Sequence, residues 1–338
     1  IAEDRWKLAL QEAREKDAWL KTEKSKKSFN EDIKSKTFFG VPITVKEMIS
    51  IQGMRQTLGS IHRRDEVKDF DSTLVMRMRQ AGAIVIATTN VPELGFWFEC
   101  ENPIYGWTRN PFDLDRTSGG SSGGEAALLG AAGSILGFGS DVGGSIRIPA
   151  GFCGVFGHKP SNRIVPITGH FPIEQRNAGQ YAGNKYPMTT LGPMARKARD
   201  LRPALEILIG PDKFDPETVK NFSLQPAVQN WTDKKIWLLP DPEMWGVSRC
   251  SAEMSEAVEL CGEYFANLGA QVRHMRADYF KDAILLWSAA LSQIDARRFE
   301  DVLFSTSPPS LIAETLRALL STRPRYTIPA LGTVVVER

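Results

Sequence analysis

The chain has 338 residues, 42% hydrophobic and 24% charged, which is long and apolar enough for a sizeable core and excludes a disordered or fibrous chain. Its 42 basic and 40 acidic residues leave a net charge of only +2, so no whole-chain electrostatic case for nucleic acid exists. No uncharged stretch approaches the ~20 apolar residues of a membrane-spanning helix, and the start at Ile1 and the finish at Arg338 read as those of a fragment without a signal peptide.

Trp6, Ala9, Leu10, Ala13 and Leu20 recur at helical spacing and predict an amphipathic helix over 2–20, followed by a Lys/Ser-rich connector over 21–36. Ile43 to Val45 is the first strand candidate. A helix near 72–81, a strand at Ile84–Thr88, helices near 92–98 and 123–132, and a strand at Ile135–Gly139 follow. Residues 110–118 read as turns, and 161–192, rich in Gly, Pro and Asn, read as loops. A second stretch repeats the logic with a helix near 199–209, a strand at Ile236–Leu239, a helix near 252–268, a strand near 271–275 and a helix near 280–298. Such alternation predicts an α/β fold with a central, mostly parallel or mixed sheet, arranged as one domain over 1–338. Ser310 to Leu320 carries an apolar face next to Arg323 and Arg325, suited either to a membrane interface or to packing on a core.

Four scattered cysteines, Cys100, Cys153, Cys250 and Cys261, lack Cys-x-x-Cys spacing and read as reduced thiols; four scattered histidines, His62, His158, His170 and His274, offer no His-Glu-x-x-His metal site. The densest signal is Thr117-Ser-Gly-Gly-Ser-Ser-Gly-Gly-Glu125 followed by Gly139-Ser-Asp-Val-Gly-Gly-Ser-Ile-Arg147. Glycines that leave N–H groups uncovered suit an oxyanion or anion loop. A phosphate loop lacks its Gly-Lys-Ser/Thr ending, and Gly119-Gly-Ser121-Ser-Gly123 lacks the buried strand that a nucleophile elbow needs. A hydroxyl nucleophile requires a base. No Ser-x-x-Lys occurs, but Lys46 ends the apolar run Val41-Pro-Ile-Thr-Val. Burial there lowers a lysine pKa and yields an amine able to accept a proton; reaching solvent from the strand end is the equal alternative.

Gly-Val-Pro-Ile-Thr-Val-Lys-Glu at 40–47, Gly-Gly-Ser-Ser-Gly-Gly at 119–124 and Gly-Ser-Asp-Val-Gly-Gly-Ser-Ile-Arg-Ile-Pro-Ala at 139–150, with Ser121 and Ser145 24 residues apart, resemble the amidase signature family, most strongly over 38–196. The resemblance implies an α/β/α sandwich and a serine hydrolase that cleaves carboxylic amides, in particular fatty-acid amides, without metal or organic cofactor. It makes Lys46 the base, Ser121 the bridging serine in a cis peptide, and Ser145 the acylated nucleophile. Val142, Gly143, Gly144 and Ser145 become the oxyanion donors, Asp141 and Arg147 structural supports, and Thr44, Ser122 and Ser140 hydrogen-bond donors around the triad. Gly95 stands where a mammalian family member has a methionine near its substrate. Phe96, Trp97, Phe98, Tyr105 and Trp107 line an acyl-chain channel or belong to the core.

The implied partners are a lipid amide and a membrane surface met through 308–336. A homodimer is compatible, nucleic acid is not expected, and the full-length protein is expected to be intracellular and membrane-associated. Two alternatives stand beside this reading: a glutamine amidohydrolase component of a tRNA-dependent amidotransferase, and a non-catalytic membrane-associated scaffold.

Overall fold

The computed structural model describes residues 5–24, 29–34, 36–171, 188–244, 247–292, 303–304, 310–320 and 324–337. In chain order, helices α1 (Trp6–Glu23) and α2 (Phe29–Lys34) precede strand β1 (Pro42–Lys46), helix α3 (Thr73–Gln80) and strand β2 (Ile84–Thr89). Short strands β3 (Glu101–Asn102), β4 (Gly106–Trp107) and β5 (Arg109–Asn110) lead to β6 (Asp113–Thr117), helix α4 (Gly123–Gly130), strand β7 (Leu136–Asp141) and helix α5 (Arg147–Phe152). Strands β8 (Phe156–Gly157) and β9 (Thr190–Ala195) and helix α6 (Leu201–Leu208) follow. Next come β10 (Lys235–Leu238), α7 (Ala252–Asn267), β11 (Gln271–His274) and α8 (Ala283–Ser292), and then α9 (Leu311–Leu320) and α10 (Ile328–Glu337). Parts of the expected connector (25–28 and 35), loops (172–187), helix near 280–298 (293–298) and C-terminal stretch (308–309 and 321–323) lie outside the described residues.

The chain divides into two compact units, one of 1–223 with 296–338 and one of 224–295. In the larger, five strands form a sheet in the order β2-β1-β7-β9-β8. β1 runs parallel to both β2 and β7, whereas β9 runs antiparallel to β7 and β8. The sheet is mixed, and the fold is α/β as expected. Residues 43–46 of β1 are all buried, because a parallel strand in mid-sheet has both faces covered and carries a continuous apolar run. α3 begins at Ser72, whose hydroxyl accepts from the Val75 N–H, and buries Leu74, Val75 and Met78. One apolar cluster gathers Met48, Leu58, Leu94, Phe304, Tyr326 and Leu331; another joins Ala126 and Leu129 of α4 to Ile146, Ala150, Cys153 and Met194.

The structure corrects three local expectations. The helix near 92–98 is a single 3-10 turn, Glu93–Gly95, because Leu94 and Gly95 both take positive φ, 56° and 73°. Residues 110–118 are not plain turns, since β5 and β6 pair antiparallel there. The loop stretch ends in a fully buried strand, β9, although it contains Gly192 and Pro193. Pro193 brings no N–H to the ladder, but its carbonyl still accepts from the His158 N–H at 3.0 Å.

In the smaller unit, β10 and β11 form a two-stranded parallel sheet. α7 is capped by Ser251, whose hydroxyl accepts from the Met254 N–H.

Candidate active site

Three elements of the larger unit end at one place. β1 finishes with Lys46, β7 finishes with Ser140 and Asp141, and α4 starts just after Ser121 and Ser122. Since β1 and β7 are parallel, Lys46 and the loop 142–146 both lie at carboxyl ends of strands, where α/β sheets build their sites.

Lys46 does not reach solvent; it is 0% exposed. Its Nζ lies 2.7 Å from Ser121 Oγ, 2.9 Å from Ser140 Oγ and 3.5 Å from Ser140 O. Burial pulls its pKa down to about 7 against the opposing pull of Asp141, Cys100 and Glu125. The Gly120–Ser121 peptide bond is cis.

The two serine loops are tied by main-chain and side-chain bonds. The Ser122 N–H donates to Ser145 O at 3.0 Å and the Ser122 hydroxyl to Ser140 O at 3.4 Å. Gly139 must be glycine for this approach, because a Cβ there would fall 2.6 Å from Ser122 Oγ. Ser145 is half-buried in the turn before α5.

Asp141 organises the loop around Ser145. Its carboxylate accepts from the N–H groups of Gly144 (2.8 Å) and Ile146 (3.0 Å) and from the Arg147 guanidinium at 3.0 and 2.8 Å. Burial alone would raise its pKa, but Arg147 and these N–H groups outweigh that and hold the carboxyl below the usual range. The Gly144 N–H, one of the expected oxyanion donors, is thus engaged by the Asp141 carboxylate.

Gly95 packs on Met48, whose Sδ sits 2.3 Å from where a Cβ would be. Phe96 and Trp97 line a small cleft with Pro92, Glu93, Thr327 and Ala330, and the Trp97 carbonyl lies 2.6 Å from the Cβ position of Gly120. Phe98, Tyr105 and Trp107 are exposed. None of the five is buried in the core.

Two buried groups near Lys46 escaped the motif reading. Glu125 of α4 is 0% exposed and accepts from the hydroxyls of Thr44 (2.7 Å) and Thr89 (2.9 Å); burial pushes its pKa up to about 8. His170 is also buried, and desolvation, with the charge of Lys46 second, pushes it down to about 3, so it stays neutral at neutral pH and is a weak proton acceptor. The signal for Glu125 was present as one acid opening the apolar helix Ala126-Ala-Leu-Leu129. Cys100 and Cys153 are free and buried; Cys250 and Cys261 are free and exposed. Among the described residues, no cluster of metal-ligating side chains occurs and no helix is long and apolar enough to cross a membrane.

These strands, loops and helices match a known family: residues 6–324 fit the Amidase family, and the chain belongs to it, the amidase signature family expected from its motifs. It is 36% identical over 307 residues to fatty-acid amide hydrolase 2 of Homo sapiens, covering 89% of this chain and 55% of that protein, so it spans little over half of the relative's length. Among solved structures, a glutamyl-tRNA(Gln) amidotransferase subunit of Thermotoga maritima is similar with a TM-score of 0.66 at 27% identity, over 89% of this chain and 60% of that one. A bacterial aryl acylamidase of the amidase signature family is similar with a TM-score of 0.68 at 26% identity, over 97% and 66% respectively.

Proposed function

We propose that this protein hydrolyses carboxylic amides through an acyl-Ser145 intermediate, with Lys46 as base and Ser121 as proton relay. The observation that carries the reading is Lys46: a buried amine 2.7 Å from Ser121 Oγ whose proton affinity is lowered to about 7. Uncharged, Lys46 takes the Ser121 proton while Ser121 takes the proton of Ser145. Ser145 Oγ then forms a bond to the carbonyl carbon. The negative oxygen is met by backbone N–H groups of Val142, Gly143 and Ser145; removing one such donor costs about 2.7–4 kcal/mol of transition-state stabilisation. Collapse breaks the C–N bond, and the relay runs backwards to protonate the departing amine. Water, deprotonated by the same route, then releases the free acid from Ser145.

Likeness to human fatty-acid amide hydrolase 2 supports a long-chain fatty-acid amide as substrate, and the exposed rings of Phe96 and Trp97 offer apolar surface to an acyl group. α9 exposes Ile312, Leu316, Leu319 and Leu320, which supports contact of the 308–336 stretch with a membrane surface. We take 1–338 as part of one amidase domain.

A fluorophosphonate probe is expected to label Ser145, located by mass spectrometry of the digested protein; equal labelling of S145A sinks the assignment. Oleoyl amide should be cleaved faster than short-chain amides. The likeness to the Thermotoga maritima amidotransferase favours a second reading as a glutamine amidohydrolase, and ammonia release from glutamine in preference to oleoyl amide would select it.

A further inference from the structure

Glu93 is an acid in a short turn, yet it is 3% exposed and meets the far end of the chain. Its Oε2 accepts from the Thr327 N–H at 2.8 Å and from the Thr327 hydroxyl at 3.1 Å. That hydroxyl in turn accepts from the Ala330 N–H at 3.3 Å, so Thr327 caps the N-terminus of α10 and Glu93 holds the cap. Glu93 Oε1 is buried and has no partner among the described residues. One oxygen therefore makes the contact, and it does so as an acceptor.

The turn that carries Glu93 has little of its own to hold it. Its internal bond runs from the Gly95 N–H to Pro92 O at 2.8 Å, and Leu94 keeps φ at 56°, a left-handed conformation that persists in a leucine only where the surroundings impose it. On one side the Leu94 N–H donates to Leu58 O at 2.8 Å, and Met48 fills the place of a Gly95 Cβ. On the other, α10 buries Ala330, Leu331 and Val334 in the apolar cluster that holds Leu94. The turn runs straight on into the exposed Phe96 and Trp97, and the Trp97 carbonyl lies 2.6 Å from the Cβ position of Gly120, the residue before Ser121.

We propose that Glu93 is a positioning residue for acyl-group selectivity: by clamping the 93–97 turn to the N-terminus of α10, it fixes where Phe96 and Trp97 stand beside the serine loop. The proposal rests on those two rings receiving the acyl group. A turn released at Glu93 keeps its bond to Leu58 but loses the strut of α10, so the rings can turn away while Lys46 keeps its contacts with Ser121 and Ser140. Apolar contact grows with the area covered, so a long chain senses such a displacement and a short acyl group, which covers little of the rings, does not. The charge of the carboxyl is not required, because a neutral amide oxygen in the same place accepts from Thr327 as well.

The test compares the rates at which a long-chain and a short-chain alkyl fluorophosphonate label Ser145 in the full chain. In E93A the long-to-short ratio is expected to fall by roughly tenfold, whereas E93Q, which keeps the accepting oxygen, retains the parent ratio. T327V removes the hydroxyl but not the N–H and is expected to give a smaller fall, which keeps the idea testable if E93A fails to fold. A general loosening of the fold would slow both probes alike, so the ratio and not the rate is the readout. A parent ratio in E93A, or in T327V where E93A does not fold, overturns the proposal, and so does an E93Q that falls with E93A. A parent protein that takes both probes equally overturns the acyl-group reading itself and this proposal with it, a failure that no variant is needed to reveal.

Discussion

The two compact units share one alternation of strands and helices but bury their residues to different depths. In the larger, Ile43, Thr44, Val45 and Lys46 are all 0% exposed. In the smaller, Leu238 is the buried residue of β10, β11 has none, and α8 leaves Ile284, Leu285 and Leu286 exposed. Titratable groups follow that difference. His274 lies 2.9 Å from Glu259, yet the side chains are 63% and 43% exposed, so water screens the pair. Lys46, at a similar distance from hydroxyls, loses its water and with it the preference for charge. Proximity is common to both regions; burial is what lowers the proton affinity of Lys46.

The comparison breaks most directly at Lys46. K46M keeps the bulk and removes the amine, and amide turnover is expected to fall by roughly 10²–10⁴-fold in a steady-state assay; a smaller loss puts the base elsewhere. The next largest effect is that of pH. Because the active form of Lys46 is the deprotonated one and its pKa is about 7, kcat/KM should fall about tenfold for each unit below pH 7 and level off above it. An acid limb of the same sign but centred near the ordinary carboxylate range would assign it to another group than Lys46.

A third variant, D141A, leaves the N–H groups of Gly144 and Ile146 and the Arg147 guanidinium without their acceptor. It should destabilise the fold by about 2–3 kcal/mol in urea titration and slow labelling of Ser145 as well. The smallest effect belongs to the exposed pair: H274A should shift stability by less than about 0.5 kcal/mol and leave labelling unchanged, and a large effect there would refute the contrast between the units.

Much of the candidate site was legible in the sequence. The apolar run before Lys46 marked a strand, and clustered glycines marked two oxyanion- or anion-binding loops; that Gly139 is also needed for close approach to Ser122 is visible only in the structure. The depth of Glu125 was not legible, since an acid in the first turn of a helix is as readily a solvent-facing partner of the helix dipole. β9 was hidden because Gly192 and Pro193 carry turn chemistry, and only the pairing with β7 makes a strand of them. The engagement of the Gly144 N–H by Asp141 depends on loop geometry that no spacing encodes. Nor did periodicity separate the two units, because amphipathic patterns report which face turns inward and not how much lies beneath it.

The contacts of Ser140 with Lys46 carry one more consequence. A carbonyl oxygen can only accept, and an uncharged amine has two hydrogens to give. In the charged amine Nζ donates to Ser140 O (3.5 Å), Ser140 Oγ (2.9 Å) and Ser121 Oγ (2.7 Å) alike; in the uncharged form, with both hydrogens given to Ser140, the lone pair is left for Ser121. In the proposed reaction Ser140 would thereby work as a compass, fixing the direction in which a proton can run before any substrate arrives. A third hydrogen on the nitrogen would erase that bearing.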